Sequence, residues 1–324
     1  MKQAKRLSVL AFGVILFFAS CSKHDATTPT KVYKPLNDGL YISNEGLYPS
    51  GTASLPFYDS VSKQATTDIF ENTNDSTLGI GGNGMIVYGS KLYVVVNGSN
   101  LIAVVNKRTA QLIKQIKGAK NWGPQYAVAD NGQIYVSAND GTVSAIDTVS
   151  LSITKTCTVG VSPVGLAIAN NKLYAANSGG VNYPNLDSTV SVVDLSSMKE
   201  IKKIKVGINP QKVVADSKGN IYVLVWGYSD YSSGSPIVVS PAKIYKIDAN
   251  TQTVTDSTSD LSNSGKMAIY NDNLYLTGID YNVAVVFPTS NLKANYTKFV
   301  TDGTSLDLPY GIDIDESNGD VYIT

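Results

Sequence analysis

The chain has 324 residues, and its 26 basic and 26 acidic side chains give a formal net charge of zero at pH 7. Hydrophobic residues make up 43% of it and charged residues 16%, a balance that indicates a folded chain and argues against disorder. A single histidine and two cysteines argue against Ser-His-Asp catalysis, multi-histidine zinc sites and disulfide frameworks, and a neutral chain with two arginines is poorly suited to nucleic acid.

The N-terminal segment predicts export and a membrane anchor. A basic stretch at residues 2–6 precedes the apolar run 7–18, whose twelve residues fall short of the ~20 that span a bilayer. The run ends in Phe18-Ala19-Ser20-Cys21, which resembles a bacterial lipobox. We therefore expect a lipoprotein signal peptide over 1–20 and a polar tether, lipidated at its first residue Cys21, over 21–37. An ordinary signal peptide with an unrelated cysteine is the alternative.

A repeat runs through the remainder of the chain. A hydrophobic residue followed by tyrosine opens a short β-rich segment seven times, at Tyr41, Tyr93, Tyr135, Tyr174, Tyr222, Tyr275 and Tyr322. Each unit continues with a strand that usually ends in Asp or Asn, a third strand, a loop that often contains proline, and a fourth apolar strand. Four strands in a unit of about 40–50 residues are typical of a β-propeller blade.

Seven tyrosine strands predict an all-β, seven-bladed β-propeller with four-stranded blades over residues 38–324. If a blade is counted from the apolar strand that precedes the tyrosine strand, the first blade begins at its second strand and the last blade stops after its second strand. A closed ring needs the missing strands, because open sheet edges leave backbone groups unpaired. We therefore expect the last blade to be truncated in this chain, with its C-terminal strands absent.

Several of these pieces resemble a known family. Tyr-Val-Ser-Ala-Asn at 135–139, Val-Ser-Ala-Ile-Asp at 143–147 and Val-Gly-Val-Ser-Pro at 159–163 are similar to the YncE-like seven-bladed propellers. The opening residues 41–46 and 51–59 resemble uncharacterised cell-surface propeller lipoproteins of Gram-negative bacteria, some of which bind cobalamin and work with an outer-membrane transporter. The resemblance implies an outer-membrane lipoprotein, surface-exposed or facing the periplasm, with a corrinoid ligand and such a transporter as partner.

Loop lengths predict where a ligand binds. If the strands of a blade are named A to D from the axis outward, the B–C and D–A loops share one face, which we call the long-loop face because the long insertions lie there. Binding usually resides in long loops on a rigid scaffold. The candidate ligand-binding residues on this face are Trp122, Trp226, Tyr310, Tyr48, Tyr183, Tyr228 and Asn44. We expect the first three to contact the ligand, while loop closure onto the barrel is the alternative for each aromatic side chain.

The sequence favours a binding module over an enzyme. The glycine-rich residues 79–84 match a dinucleotide fingerprint but precede a strand, and no second acid can be paired with Glu45. We therefore predict no catalytic residue, no metal and no cofactor, and a monomer that binds a small molecule or glycan without nucleic acid. A protein-interaction scaffold and an Asp/Glu-dependent hydrolase or lyase remain as alternatives.

Overall fold

A computed structural model describes residues 33–47, 51–263, 265–279 and 282–324 of the chain. The predicted signal peptide, the lipidation site Cys21, most of the tether and the candidate residue Tyr48 lie outside the described residues. In the part of the chain that is described, no helix has the length and apolar character needed to cross a membrane.

Antiparallel sheets follow one another along the chain, and five of those described have four strands each. The first of them consists of β4 (Gly82–Tyr88), β5 (Lys91–Val96), β6 (Leu101–Asn106) and β7 (Leu112–Lys117), and the second of β8 (Pro124–Asp130), β9 (Gln133–Ala138), β10 (Thr142–Asp147) and β11 (Ser152–Thr158). The third consists of β12 (Pro163–Ala169), β13 (Lys172–Asn177), β14 (Thr189–Asp194) and β15 (Lys199–Lys205), and the fourth of β16 (Pro210–Ala215), β17 (Asn220–Val225), β20 (Lys243–Asp248) and β21 (Thr253–Ser257). The fifth consists of β22 (Met267–Tyr270), β23 (Asn273–Thr277), β24 (Ala284–Pro288) and β25 (Thr297–Lys298).

Smaller elements complete the described structure. A three-stranded sheet comes first, and a two-stranded hairpin comes last. The first consists of β1 (Gly39–Tyr41), β2 (Phe57–Asp59) and β3 (Gln64–Thr66), and the last of β26 (Ile312–Ile314) and β27 (Val321–Ile323). The loops hold helix α1 (Ile69–Asn74), a 3₁₀ turn (Gly180–Asn182) and a hairpin of β18 (Tyr228–Asp230) and β19 (Ile237–Ser240).

The sheets are the blades of a β-propeller. The first strands of successive sheets contact one another in the order β4, β8, β12, β16, β22 and β26, as strands around a central axis do. The predicted A-to-D strand order is confirmed, since each four-stranded sheet begins at this inner strand and the tyrosine strand is second. Blades 1 to 6 run from β1–β3 to β22–β25, and blade 1 has three strands among the described residues.

The repeated tyrosine links neighbouring blades. Its ring fills the layer between two sheets, where Tyr174 of blade 4 packs with Ile221 and Ile247 of blade 5. In two copies the hydroxyl reaches the C–D turn of the next blade: Tyr41 donates to the carbonyl of Lys107 at 2.9 Å, and Tyr174 to that of Ala249 at 3.2 Å. Tyrosine supplies both an apolar ring and a polar hydroxyl at this position.

The aspartates that end the third strands are explained by turn chemistry. The carboxylate of Asp147 accepts hydrogen bonds from the backbone N–H groups of Val149 and Ser150. Asp59, Asp194 and Asp248 form the same kind of turn. These backbone bonds to the charged form lower the pKa of each carboxyl group below its ordinary value. The repeated acid therefore shapes the turn.

Tyr222→Phe is expected to lower the free energy of unfolding by about 1–2 kcal/mol, because the buried hydroxyl of Tyr222 donates to Asp216 at 3.1 Å. Tyr93→Phe is the matched control: Tyr93 is equally buried, but its hydroxyl has no hydrogen-bond partner among the described residues. Its removal is expected to be neutral within about 0.5 kcal/mol. Urea unfolding of both variants checks the difference, and equal losses would contradict this role of the hydroxyl.

Candidate functional site

A cleft opens on the long-loop face beside blades 5 and 6. Its volume is about 210 Å³. Its lining comes from B–C and D–A loops and consists of Trp226, Asn263, Gly265, Lys266, Gly278, Leu308, Pro309 and Tyr310. We call these residues the Trp226 cleft. The structure thus brings Trp226 and Tyr310 together from loops that are far apart in sequence, and their role in binding stays a prediction.

A lysine lies between the two aromatic rings of the Trp226 cleft. Lys266 Nζ is 5.8 Å from the centroid of the Trp226 ring and 4.9 Å from that of Tyr310. The Trp226 indole N–H donates to the Gly265 carbonyl at 3.1 Å, and Thr277 Oγ1 donates to the Tyr310 carbonyl at 3.2 Å. Both rings remain accessible, with 39% of Trp226 and 62% of Tyr310 exposed. The arrangement is a cation–π site with open aromatic faces.

Positive charge accumulates near the axis at this end of the propeller. Burial lowers the pKa of Lys266, and the nearby charge of Lys212 lowers it further, while Glu45 acts in the opposite direction. Burial and then the charge of Glu45 raise the pKa of Tyr310. No ion pair among the described residues includes Lys212 or Lys266. Two ammonium groups therefore act on each other without a carboxylate in ion-pair contact.

Lys212 is held away from the cleft lining by a tyrosine. It projects from the inner strand β16, with its Nζ 4.0 Å from the centroid of the Tyr126 ring on inner strand β8. The same ammonium donates to the Tyr126 hydroxyl. Lys212 thus places a positive charge near the propeller axis, while Lys266 is the cation that lines the Trp226 cleft.

Trp122 requires a correction, because the sequence placed it on the surface as a ligand contact. Its side chain is 2% exposed and belongs to the hydrophobic layer between blades 2 and 3. Its ring lies flat against Gly118, where any side chain would overlap it. The turn between β7 and β8 folds the indole inward, so Trp122 is a core residue and is not available to a ligand on this face.

Tyr183 and Tyr228 form a second aromatic pair on the same face. Their ring centroids are 5.9 Å apart at an interplanar angle of 72°. They come from the neighbouring B–C loops of blades 4 and 5. Tyr183 is 63% exposed and is not among the residues that line the Trp226 cleft. The predicted tyrosines therefore form a separate patch.

The asparagines that end the second strands serve the loops. Exposed Asn44 donates to Ser54 Oγ at 3.2 Å, and this hydrogen bond connects the two ends of the B–C loop of blade 1. Asn177 is fully buried, and it accepts from the Gly160 N–H and donates to Ser191 Oγ. These hydrogen bonds give both side chains a role in stabilising loops, and ligand binding by Asn44 stays a prediction.

The sequence did not single out Lys266 or Lys212. Both occupy the beginning of inner strands, but nothing in the local pattern shows that side chains from different blades converge at the axis. Glu45, considered for acid chemistry, instead lies near enough to influence Lys266 and Tyr310. Across the described ranges, no group of three or more His, Cys, Asp or Glu side chains could hold a metal ion.

Comparison with solved structures shows the fold. Hydrazine synthase of Kuenenia stuttgartiensis matches with a TM-score of 0.62 and 17% identity, over 75% of this chain and 73% of its own. The computationally designed Ika8 protein matches with a TM-score of 0.59 and 10% identity, over 86% of this chain and 80% of its own. At such identities the likeness extends to architecture alone.

No curated protein matches the chain in sequence. A family model does match, over residues 38–258, and it begins at the first blade. This match covers more than half of the chain and includes Trp226, one wall of the Trp226 cleft. The chain therefore belongs to the family described as a domain of unknown function, DUF5074.

Proposed function

We propose that the protein is a non-catalytic binding module whose ligand occupies the Trp226 cleft. The observation that supports this most is Lys266 between the accessible rings of Trp226 and Tyr310. Aromatic rings offer apolar area with a polar edge, and exposed aromatic groups on rigid scaffolds are used for recognition. The repeated aspartates Asp147 and Asp194 accept backbone hydrogen bonds in their own turns, which supports a structural role for them over an acid–base one.

The ligand that suits these walls has a flat or sugar-like ring. A volume of about 210 Å³ accommodates a single ring or the edge of a larger molecule. The resemblance of the opening residues to surface cobalamin-binding lipoproteins makes a corrinoid the first candidate, and a glycan the second. A corrinoid would extend beyond the Trp226 cleft across the long-loop face, toward the Tyr183–Tyr228 pair.

The ligand proposal is tested by thermal-shift screening of corrinoids and oligosaccharides, followed by titration calorimetry. Trp226→Ala and Tyr310→Ala are each expected to weaken binding by about 1–3 kcal/mol, as is typical for an aromatic side chain at a hot spot. Val149→Ala is the control, because Val149 is 88% exposed and lies in a C–D turn on the opposite face. Equal effects of all three substitutions, or no effect of any, would move the site elsewhere.

We further propose that the mature protein is anchored by lipid at Cys21 in the outer membrane and delivers its ligand to a transporter there. Cys21→Ser is expected to release the protein from the membrane fraction, because the acyl chains supply the attachment. Fractionation after a carbonate wash measures this, with the unaltered chain as the membrane-bound control. Retention of Cys21→Ser in the membrane pellet would contradict the anchor.

The blade count belongs to the same proposal. We propose that β26 and β27 are the inner strands of a seventh blade between blades 6 and 1. β26 contacts β22 of blade 6, and Tyr58 of β2 contributes to the raised pKa of Tyr322 in β27, after burial and the nearby aspartates. Tyr41 and Tyr174 likewise reach the next blade through their hydroxyl groups. A crystallographic structure of the protein tests the number of blades.

One observation favours an interaction scaffold as the second candidate. Strand β19 exposes Ile237, Val238 and Val239, each more than half accessible, on the hairpin inserted in blade 5. Consecutive exposed aliphatic residues often mark protein contacts. If a partner protein binds here, replacing all three residues with serine is expected to abolish chemical cross-linking between the partner and this protein. Trp226→Ala is expected to leave that cross-linking unchanged.

A further inference from the structure

The ammonium group of Lys266 belongs to a partly buried residue and has no counter-ion in contact among the described residues. Its side chain lies largely within the Trp226 cleft, among two rings and backbone atoms. No carboxylate among the described residues is in ion-pair contact with this ammonium, and the ammonium donates no hydrogen bond to a described side chain. A charge removed from water is costly unless it is paired. The site therefore has an unmet preference for negative charge.

We infer that the Trp226 cleft selects a ligand with an anionic group, a carboxylate or a phosphate, attached to a planar ring, and that Lys266 is the counter-ion. This inference rests on the proposed binding function and specifies the chemistry of the ligand. The ring lies against Trp226 and Tyr310, and the anion meets the ammonium that the two rings flank. A charge-assisted hydrogen bond in such a partly dehydrated site is stronger than one in water.

The surrounding charges favour an anion over a cation or a neutral group. Lys212 adds a second positive charge close enough to affect Lys266, and Tyr126 holds its ammonium in place. Glu45 supplies one negative charge near Lys266 and Tyr310. Two of these three side chains are positive and one is negative, and a net positive charge attracts an anion in a way that salt weakens.

Benzoate and benzamide are the probes, since both have a flat ring of the same size and differ in charge. Calorimetric titration of the full chain at low ionic strength is expected to show benzoate binding at least about tenfold more tightly than benzamide. Added sodium chloride should reduce this preference. Lys266→Met retains the apolar stem and is expected to remove the preference by weakening benzoate binding.

Lys218→Met is the control for a general charge effect. Lys218 lies in an A–B turn on the opposite face and is paired with Asp272 at 2.6 Å, so this variant should retain the preference for benzoate. Equal affinities of benzoate and benzamide would overturn the anion inference while leaving ligand binding in the cleft intact. A benzoate preference that persists in Lys266→Met would also overturn it. Absence of binding by both probes would contradict the proposed site itself.

Discussion

Trp122→Ala is expected to lower the free energy of unfolding by about 3–5 kcal/mol, because it removes the largest side chain from the layer between blades 2 and 3. The indole fills a space closed by Gly118 on one side, so alanine leaves a cavity that the adjoining sheets cannot close. Chemical denaturation measures the loss. We expect this loss of stability to exceed the loss caused by Trp226→Ala.

Trp226→Ala supplies the comparison for this prediction. Trp226 is partly exposed, and its indole makes one hydrogen bond, to Gly265. Its replacement is expected to cost about 1 kcal/mol of stability. Ligand affinity should show the reverse order, with Trp226→Ala impaired and Trp122→Ala unaffected wherever it remains folded. If both substitutions destabilise the protein equally, the different placement of the two tryptophans is wrong.

Gly165→Ala is expected to destabilise the protein by about 2–3 kcal/mol through overpacking around the axis. Gly165 lies on inner strand β12, and a Cβ there would sit 2.6 Å from the Gln211 carbonyl oxygen and 2.8 Å from the Lys212 Cα of the next inner strand. These neighbours are backbone atoms, so strand β16 must move as a whole. Because Lys212 moves with it, its contact with Tyr126 should weaken.

Gly84→Ala is the matched control for that prediction. Gly84 is the third residue of inner strand β4, as Gly165 is of β12, but a Cβ there meets Tyr126 at an ordinary 3.7 Å. We expect a change of less than about 1 kcal/mol. Thermal unfolding of the two variants measures the difference. Equal destabilisation would show that the close approach of β12 and β16 is not what requires glycine.

The propeller fold could be predicted because its signal repeats. Each unit combines an alternating strand that contains tyrosine with a strand that ends in an acid, and both features have a local physical cause. Tyr174 fills the layer between blades and reaches the next turn, and Asp147 accepts backbone hydrogen bonds in its own turn. Strand order and the shared face of the long loops follow from this repetition.

The burial of Trp122 could not be predicted from its sequence position, because a loop tryptophan can point inward or outward. Trp226 also follows a strand, yet it stays accessible. Gly118 was the available signal: a glycine four residues before Trp122 permits the ring to fold flat against the backbone. Such a contact depends on the path of a single turn, which local propensities do not specify.

The charge in the Trp226 cleft was missed for a different reason. Lys212 and Lys266 are separated by a whole blade in sequence, and they approach each other because inner strands converge at the axis. The inserted elements were missed as well. Asp68 caps the six-residue helix α1 through the N–H groups of Phe70 and Glu71, and a capping aspartate was the sequence signal for it.

Hydrogen–deuterium exchange with and without the ligand found by screening tests the central claim most directly, namely that a ligand binds the long-loop face at the Trp226 cleft. The account predicts slower exchange at residues 226–228, 263, 265–266 and 308–310, which contribute its lining or adjoin it. The A–B turns on the opposite face, such as residues 216–219, should exchange as before. Protection confined to those turns, or no binding by any corrinoid or oligosaccharide, would contradict the account.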